Sequence, residues 1–273
     1  MKKRRMIFSL EVALLLCIAA AVLVPYVWMI MTSFKTGKDY LMHSASLWPQ
    51  EWTLAGYKKV FFDSPFVQWF LNSAIVTGSV TAIVIFTSTL AGFVFAKYRF
   101  RWKEAWFAVI LATMMVPSQV TMIPNFLIVL KLGLYNKLAA LIIPHMVRMF
   151  GVFLCRQAIE DIPDSLCEAA KIDGAGDFTI YWRVILPNMK ATISSLSIFT
   201  ALSTWNDYLN PLIMLNDVEN MTLPIAMNYF ANQYVADMGA TMAAATLMTV
   251  PMLIVFLLFQ RQFIEGSTLS GIK

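Results

Sequence analysis

Six apolar runs, each about twenty residues or longer, constrain this chain more than any other feature, since an α-helix of that length spans the hydrocarbon core of a bilayer. They lie at roughly 7–31, 67–96, 105–129, 138–159, 192–215 and 239–259 of a 273-residue chain. Composition agrees: 59% of residues are hydrophobic and 14% charged, against about 25% charged in a typical soluble domain. The runs show no sustained apolar–polar alternation, so strands are excluded, and a helix satisfies its own backbone hydrogen bonds in lipid. The expected fold is an all-α membrane protein, one transmembrane domain of six helices over residues 1–273.

Basic residues set the orientation, because short cytoplasmic loops carry the excess of Lys and Arg. Lys2, Lys3, Arg4 and Arg5 precede the first run, Lys97, Arg99, Arg101 and Lys103 separate the second and third, and Arg156 closes the fourth. All three regions fall on one side, which is read as the cytoplasm and also receives the C-terminus with Arg261 and Lys273. The loops at 32–66 and 216–238 then lie outside. Lys131 and Lys137 fall outside as well, against the trend. A cleavable signal peptide is an alternative reading of the first run, with its basic flank and small residues at 19–21. The apolar stretch continues to Met31, longer than a usual signal core, which favours a retained helix.

Several function classes lose support here. The formal charge of +5 sits in the cytoplasmic flanks, and no basic patch with interleaved aromatics points to nucleic acid. Cys17, Cys155 and Cys167 have no metal-ligand spacing and read as small buried hydrophobes, so no metal site is expected. No phosphate-binding loop is present, since Gly37-Lys38 is followed by Asp39 and has no glycine five residues earlier. No catalytic residues are expected, nor any cofactor on this chain. If ATP drives it, another chain hydrolyses the nucleotide.

One polar segment, about 160–190, interrupts the apolar pattern. Pro163 and Asp164 open a short helix that runs through Glu168, Ala169 and Ala170 to Asp173, and Gly174 stops it. Gly176 and Asp177 open a second, in which Phe178, Tyr181, Trp182 and Ile185 are expected to share one face, ended by Pro187. Helix, glycine turn and helix form an elbow at the membrane surface. A bland reading leaves it a connector with Glu168 solvated; the particular residues favour a docking element.

Those residues carry a resemblance. Glu168-Ala169-Ala170, Asp173-Gly174-Ala175 and Ile185-Leu186-Pro187 resemble the Glu-Ala-Ala loop of permease subunits of binding-protein-dependent ABC importers. Val116-Pro117-Ser118-Gln119-Val120, Phe150-Gly151-Val152-Phe153-Leu154, Trp205-Asn206-Asp207-Tyr208 and Gln260 to Gly266 resemble the carbohydrate-uptake branch, the maltose-type second permease. The chain departs from that pattern at Asn188-Met189, where the family often has a second proline, and at Asn210, where an aromatic is frequent. The resemblance implies a type I ABC importer permease fold with a cytoplasmic coupling loop. Glu168, Ala169, Ala170, Asp173, Gly174, Ala175, Leu186 and Pro187 would engage an ATPase.

It further implies a heterodimer with a second permease subunit, two ATPase subunits that hold ATP and Mg, an extracellular sugar-binding protein, and a multi-pass place in a bacterial or archaeal cell (inner) membrane. The function implied is ATP-driven sugar or oligosaccharide import; an ion-gradient-driven secondary transporter is the alternative. Candidate substrate-path residues are the polar groups inside the runs: Gln119, Asn125, His145, Arg148, Asn206 and Asn210, with Asn72 and Asp207 behind them. Such groups bridge neighbouring helices as often as they meet a ligand. Pro117 and Pro124 are expected to kink the third run. Arg148 falls near mid-span, where a cation is costly. It reads either as ion-paired, to Glu11 or to the partner permease, or as the contact for an acidic sugar or glycerol phosphate.

Overall fold

The computed structural model describes residues 2–233 and 238–269, and every regular element among them is helical. In chain order these are α1 (Lys2–Thr32), α2 (Gly37–Met42), α3 (Ala55–Phe62), α4 (Phe66–Lys97), α5 (Lys103–Met114), α6 (Ser118–Lys131), α7 (Ala139–Ile142) and α8 (Met149–Glu160). There follow α9 (Asp164–Ile172), α10 (Asp177–Ile180), α11 (Leu186–Asn188), α12 (Lys190–Trp205), α13 (Leu209–Met214), α14 (Leu223–Gln233) and α15 (Met238–Leu269). A 3-10 turn at Ile143–His145 and a π-helical turn at Tyr181–Ile185 interrupt the sequence of helices.

Among the described residues, three helical stretches are long and apolar enough to cross a membrane unaided: Glu11–Thr32, Phe66–Lys97 and Met238–Leu258. Two bent pairs qualify when each counts as one span, α5 with α6 at 99° and Ala139–His145 with α8 at 43°. The first bend corrects the expected kink. Proline disfavours helical geometry in the residue before it, and Pro117 is extended at φ −59°, ψ 134° just before α6. The run 105–129 is therefore two helices meeting at a sharp corner, while Pro124 lies inside α6 without ending it. The run 192–215 is likewise divided, into α12 and α13, by the non-helical stretch at Asn206 to Tyr208.

The chain divides into two compact units, Met1–Val67 with Ala226–Pro251 and Gln68–Ile225 with Met252–Lys273. In the first, the segment after α1 folds around a buried ammonium. Lys35 is 1% exposed and donates to the carbonyls of His43 (3.1 Å) and Ser46. Burial raises the carboxyl pKa of neighbouring Asp39, but hydrogen bonds from the Gln50 amide (2.9 Å) and His43 (3.1 Å) outweigh it and hold the group below its usual value. Nearby, α3 rests directly on the start of α15, where a Cβ on Gly56 would lie 2.8 Å from the Gly239 carbonyl oxygen.

The second unit is organised by α4 and α8. Val76, Val80 and Val84, four apart on α4, line one face, and Val152, Cys155 and Ile159, three and four apart on α8, line another; all six are buried. Small residues let the two helices touch. A Cβ added at Gly92 would lie 2.7 Å from the Cys155 Cβ and 2.9 Å from backbone atoms of residues 155 and 156. One added at Gly151 would collide with the Ser88 hydroxyl. At the far end of α8, Arg156 donates to Glu160 (2.7 Å) and to both carboxylate oxygens of Glu104 (3.0 Å each), and lies 3.9 Å over the ring of Phe107. That cluster ties α5 to α8 on the side carrying the basic loop. Because backbone cannot retreat from a new side chain, Gly92→Leu is expected to cost about 3 kcal/mol, the upper end of usual overpacking. The check is a fall in the thermal midpoint of the purified protein, with Gly78→Leu, where a Cβ meets nothing within 4 Å, as the benign control.

Candidate functional site

The second unit carries two polar regions, the elbow and a hollow among broken helices. Pro163, extended at φ −57°, ψ 134°, starts α9, and Asp164 and Lys171 place charge favourably at its two ends. Gly174 stops the helix at φ +83°. Its N–H donates to the Lys171 carbonyl (3.0 Å) and the Ala175 N–H to the Ala170 carbonyl (2.9 Å), the paired bonds of a Schellman cap. The glycine is thus required by backbone conformation alone, since nothing lies within 4 Å of where its Cβ would be.

Around this cap the expected residues divide by exposure. Glu168, Ala169, Asp173, Gly174 and Pro187 are exposed, whereas Ala170, Ala175 and Leu186 pack against the protein's own core. The second helix departs from its expected single face. Ile180, Tyr181 and Ile185 point inward and are 0–1% exposed, while Phe178 and Trp182 point outward at 66% and 55%, stacked at 6.2 Å with ring planes 17° apart. Phe178 and Trp182, four apart, form one stripe and Tyr181 and Ile185, also four apart, the neighbouring one; the second stripe runs through the π-helical turn at Tyr181–Ile185. Ile172, 86% exposed, and Leu166 add to the apolar surface of the elbow.

The elbow is fastened to the end of α4. The Lys97 ammonium, its side chain only 10% exposed, donates to the Ile162 carbonyl and the Asp164 carboxylate (2.6 Å). The Lys97 hydrogen bond and charge hold the Asp164 carboxyl below its usual value, so this link persists at neutral pH and is lost only as pH falls through that lowered value. Beside it, burial and the Asp177 carboxylate push the Tyr98 phenol up to about 12. Deeper in, the buried hydroxyls of Thr89 and Tyr181 share a hydrogen bond of 2.8 Å.

The other region is a cavity of about 470 Å³ lined by Ser118, Gln119, Thr121, Met122, Asn125, Pro144, His145, Asn206, Asp207, Tyr208, Leu209 and Asn210. These residues come from three places: the start of α6 after its corner, the turn after α7, and the break between α12 and α13. Three interrupted helices therefore meet at one polar hollow, where irregular backbone at membrane depth is tolerated. Asp207 stiffens its rim by accepting hydrogen bonds from the Asn210 amide N–H (3.3 Å) and side chain (2.8 Å). His145 Nδ1 lies 2.9 Å from the Leu141 carbonyl. A carbonyl only accepts, so Nδ1 carries the proton and Nε2 is left for another partner.

Five of the six residues singled out from the sequence as a substrate path, Gln119, Asn125, His145, Asn206 and Asn210, line this cavity together. The sixth, Arg148, occupies a water-sized niche of about 10 Å³ whose wall also includes His145 and Asp207. It stands at the break before α8 and not within a continuous helix. Its guanidinium donates to the hydroxyls of Ser203 and Thr204 (3.0 Å to the latter), and no carboxylate lies within 4.0 Å among the described residues. Asn72 serves structure instead: buried, it donates to the carbonyls of Glu219 (2.8 Å) and Met221 (2.9 Å). Sequence reasoning missed Ser203, Thr204, Lys97 and Tyr98. The run of hydroxyls from Thr192 to Thr204 was the available sign for the first pair; basic flanks are too common to mark the second. The readings placed on 234–237 of the outer loop, on the side chains at 260–266 and on Lys273 lie outside the described residues.

Residues 88–266 match the family described as binding-protein-dependent transport system inner membrane component. The chain is 30% identical to the arabinooligosaccharides transport system permease protein AraQ of Halalkalibacterium halodurans, over 94% of this chain and 93% of that one. It is also 30% identical to the lactose transport system permease protein LacG of Rhizobium radiobacter, over 97% and 96%. In fold it is similar to a chain of the crystal structure of a bacterial ABC transporter involved in import of the acidic polysaccharide alginate, with a TM-score of 0.86 and 23% identity over 96% of this chain and 98% of the other.

At Gly174 the left-handed conformation is strained for any side chain, by about 1–2 kcal/mol for an ordinary residue. Gly174→Val is therefore expected to raise the rate of trypsin cleavage at Lys171 by roughly 5- to 30-fold through local opening of the cap. Gly174→Asn, which tolerates this conformation better, should raise it less.

Proposed function

The chain belongs to the family of inner membrane components of binding-protein-dependent transport systems, and from that premise we propose that it is the permease subunit of an ATP-driven importer for a sugar or oligosaccharide. The elbow carries this reading. It combines an exposed carboxylate, Glu168, with an apolar surface of Leu166, Ile172, Phe178 and Trp182 that water alone would leave uncovered. A groove on an ATPase supplies what both need, a basic partner and apolar cover. A hydrogen bond from such a basic group to Glu168 is worth about 1.5–3 kcal/mol.

On this reading ATP and Mg bind two ATPase subunits, a second permease completes the membrane pathway, and an extracellular protein delivers the cargo. The polybasic loop at 97–103 and the N- and C-termini face the cytoplasm. Closure of the ATPase pair moves the elbows and switches access to the cavity. Amides from Gln119, Asn125, Asn206 and Asn210 offer both donors and acceptors there, which suits a polyhydroxylated ligand. The names of the arabinooligosaccharide and lactose relatives support the same substrate class. An ion-gradient-driven carrier finds no support among the relatives.

One observation favours a second reading of the cargo, an acidic sugar or glycerol phosphate. The guanidinium of Arg148 is held by neutral hydroxyls, so its charge remains available to an anionic group, and the alginate importer is a structural relative. Asp207, in the same niche, opposes it. Uptake of neutral and acidic oligosaccharides by the wild type and by Arg148→Ala separates the readings. Selective loss of acidic uptake supports the anionic cargo, and equal uptake of every cargo removes Arg148 from ligand contact.

The main reading is tested in proteoliposomes holding the complete transporter with its binding protein. Glu168→Lys should insert normally yet lose most cargo-stimulated ATP hydrolysis, by roughly tenfold or more for one charge-assisted bond exchanged for repulsion. Full stimulation in that variant would contradict the docking role.

A further inference from the structure

The elbow is joined by the chain to α8 and α12 and shares a buried core with both, but its polar side-chain attachments run to α4. Lys97, the last residue of α4, reaches the Ile162 carbonyl and the Asp164 carboxylate at the start of α9. About two helical turns away, Thr89 of α4 holds the Tyr181 hydroxyl in the π-helical turn (2.8 Å), and between them Phe93 lies 5.7 Å from the Tyr181 ring. Between these two attachments lies a cavity of about 320 Å³, bordered by Phe93, Lys97, Asp164, Cys167, Glu168 and Asp177. The underside of α9 is thus hollow near Glu168. Cys167 and Ala170 pack α9 on the core, but beside Glu168 that packing is interrupted, and the Lys97 attachment holds the helix on this side.

We infer that α4 is the lever that carries the elbow, and that Lys97 is the positioning residue that keeps α9 in register with it. The inference rests on the reading of the elbow as the element that meets the ATPase. Motion imposed on Glu168 and its neighbours passes through the Lys97 clasp into α4, whose other half lines the niche of Arg148 with Ser73 and Val76. The covalent route through residues 160–163 contains a proline and a bend and is the softer connection. Removing the ammonium should leave α9 formed, since its Schellman cap is untouched, but let it lift from the hollow.

Cys167 reports that lifting directly. It is 9% exposed, on the face of α9 turned to the hollow, and peptide mass spectrometry distinguishes it from Cys17 and Cys155. In the complete transporter in native membranes, Lys97→Met is expected to raise the rate of N-ethylmaleimide labelling at Cys167 by roughly tenfold, the opening that follows loss of a hydrogen bond between charged groups. In proteoliposomes the same variant should consume several times more ATP per cargo molecule. Lys97→Arg, which keeps a charged donor and has room in the hollow, should restore both values. Unchanged labelling in Lys97→Met overturns the clasp, and raised labelling with a normal ATP-to-cargo ratio overturns its part in coupling. If the wild-type assembly itself shows no response to its binding protein, the function proposed above fails, while the labelling still decides the clasp.

Discussion

Where Gly92 of α4 meets Cys155 of α8, the backbones approach too closely for any added side chain. Lipid is as apolar as the helix surfaces, so hydrophobicity alone cannot drive that contact; close van der Waals packing of small residues can. Both candidate sites depend on it. Toward one end, the contact sets α4 where Lys97 and Thr89 can hold the two arms of the elbow. Along the other half of α4, Ser73 and Val76 form part of the wall around Arg148. Arg156, braced by Glu104 and Glu160 and stacked on Phe107, secures the same junction from the loop side.

A second constraint shapes the cavity. Backbone polar groups cannot face hydrocarbon unpaired, so a helix that breaks at membrane depth must turn its break toward protein or water. Breaks near Pro117, near Pro144 and at Asn206 to Tyr208 all contribute residues to the lining of one hollow. Asp207 then takes over the amide of Asn210, as a capping residue does in a soluble helix. The same interruptions that deprive the chain of straight spans supply the amides and the imidazole that a sugar's hydroxyls can use.

Much of this was legible in the sequence, for reasons that differ by region. The elbow could be read because its determinants are local: Pro163 starts α9, Gly174 ends it, and both act within a few residues. The amides of the cavity could be singled out because a polar side chain is conspicuous in an apolar run. What could not be read depends on distant partners or on which side chains a helix turns inward. Asn72 looks like a pathway residue until Glu219 and Met221, nearly 150 positions away, are seen to occupy it. Arg148 gave no hint that Ser203 and Thr204 would hold it. Nor did the sequence tell which of the aromatics at 178, 181 and 182 face the core: Tyr181 is buried, while Phe178 and Trp182 are exposed.

The central claim is that the elbow is the surface through which an ATPase drives this permease. Photocrosslinking from Ile172, whose side chain is 86% exposed at the tip of α9, tests it most directly in intact cells expressing the whole transporter. The account predicts one dominant crosslinked product with an ATPase subunit, strengthened when ATP is trapped without hydrolysis. A crosslinker at that position that captures only lipid, or that captures the ATPase no better than one placed at exposed Trp52 of the outer loop, would contradict it.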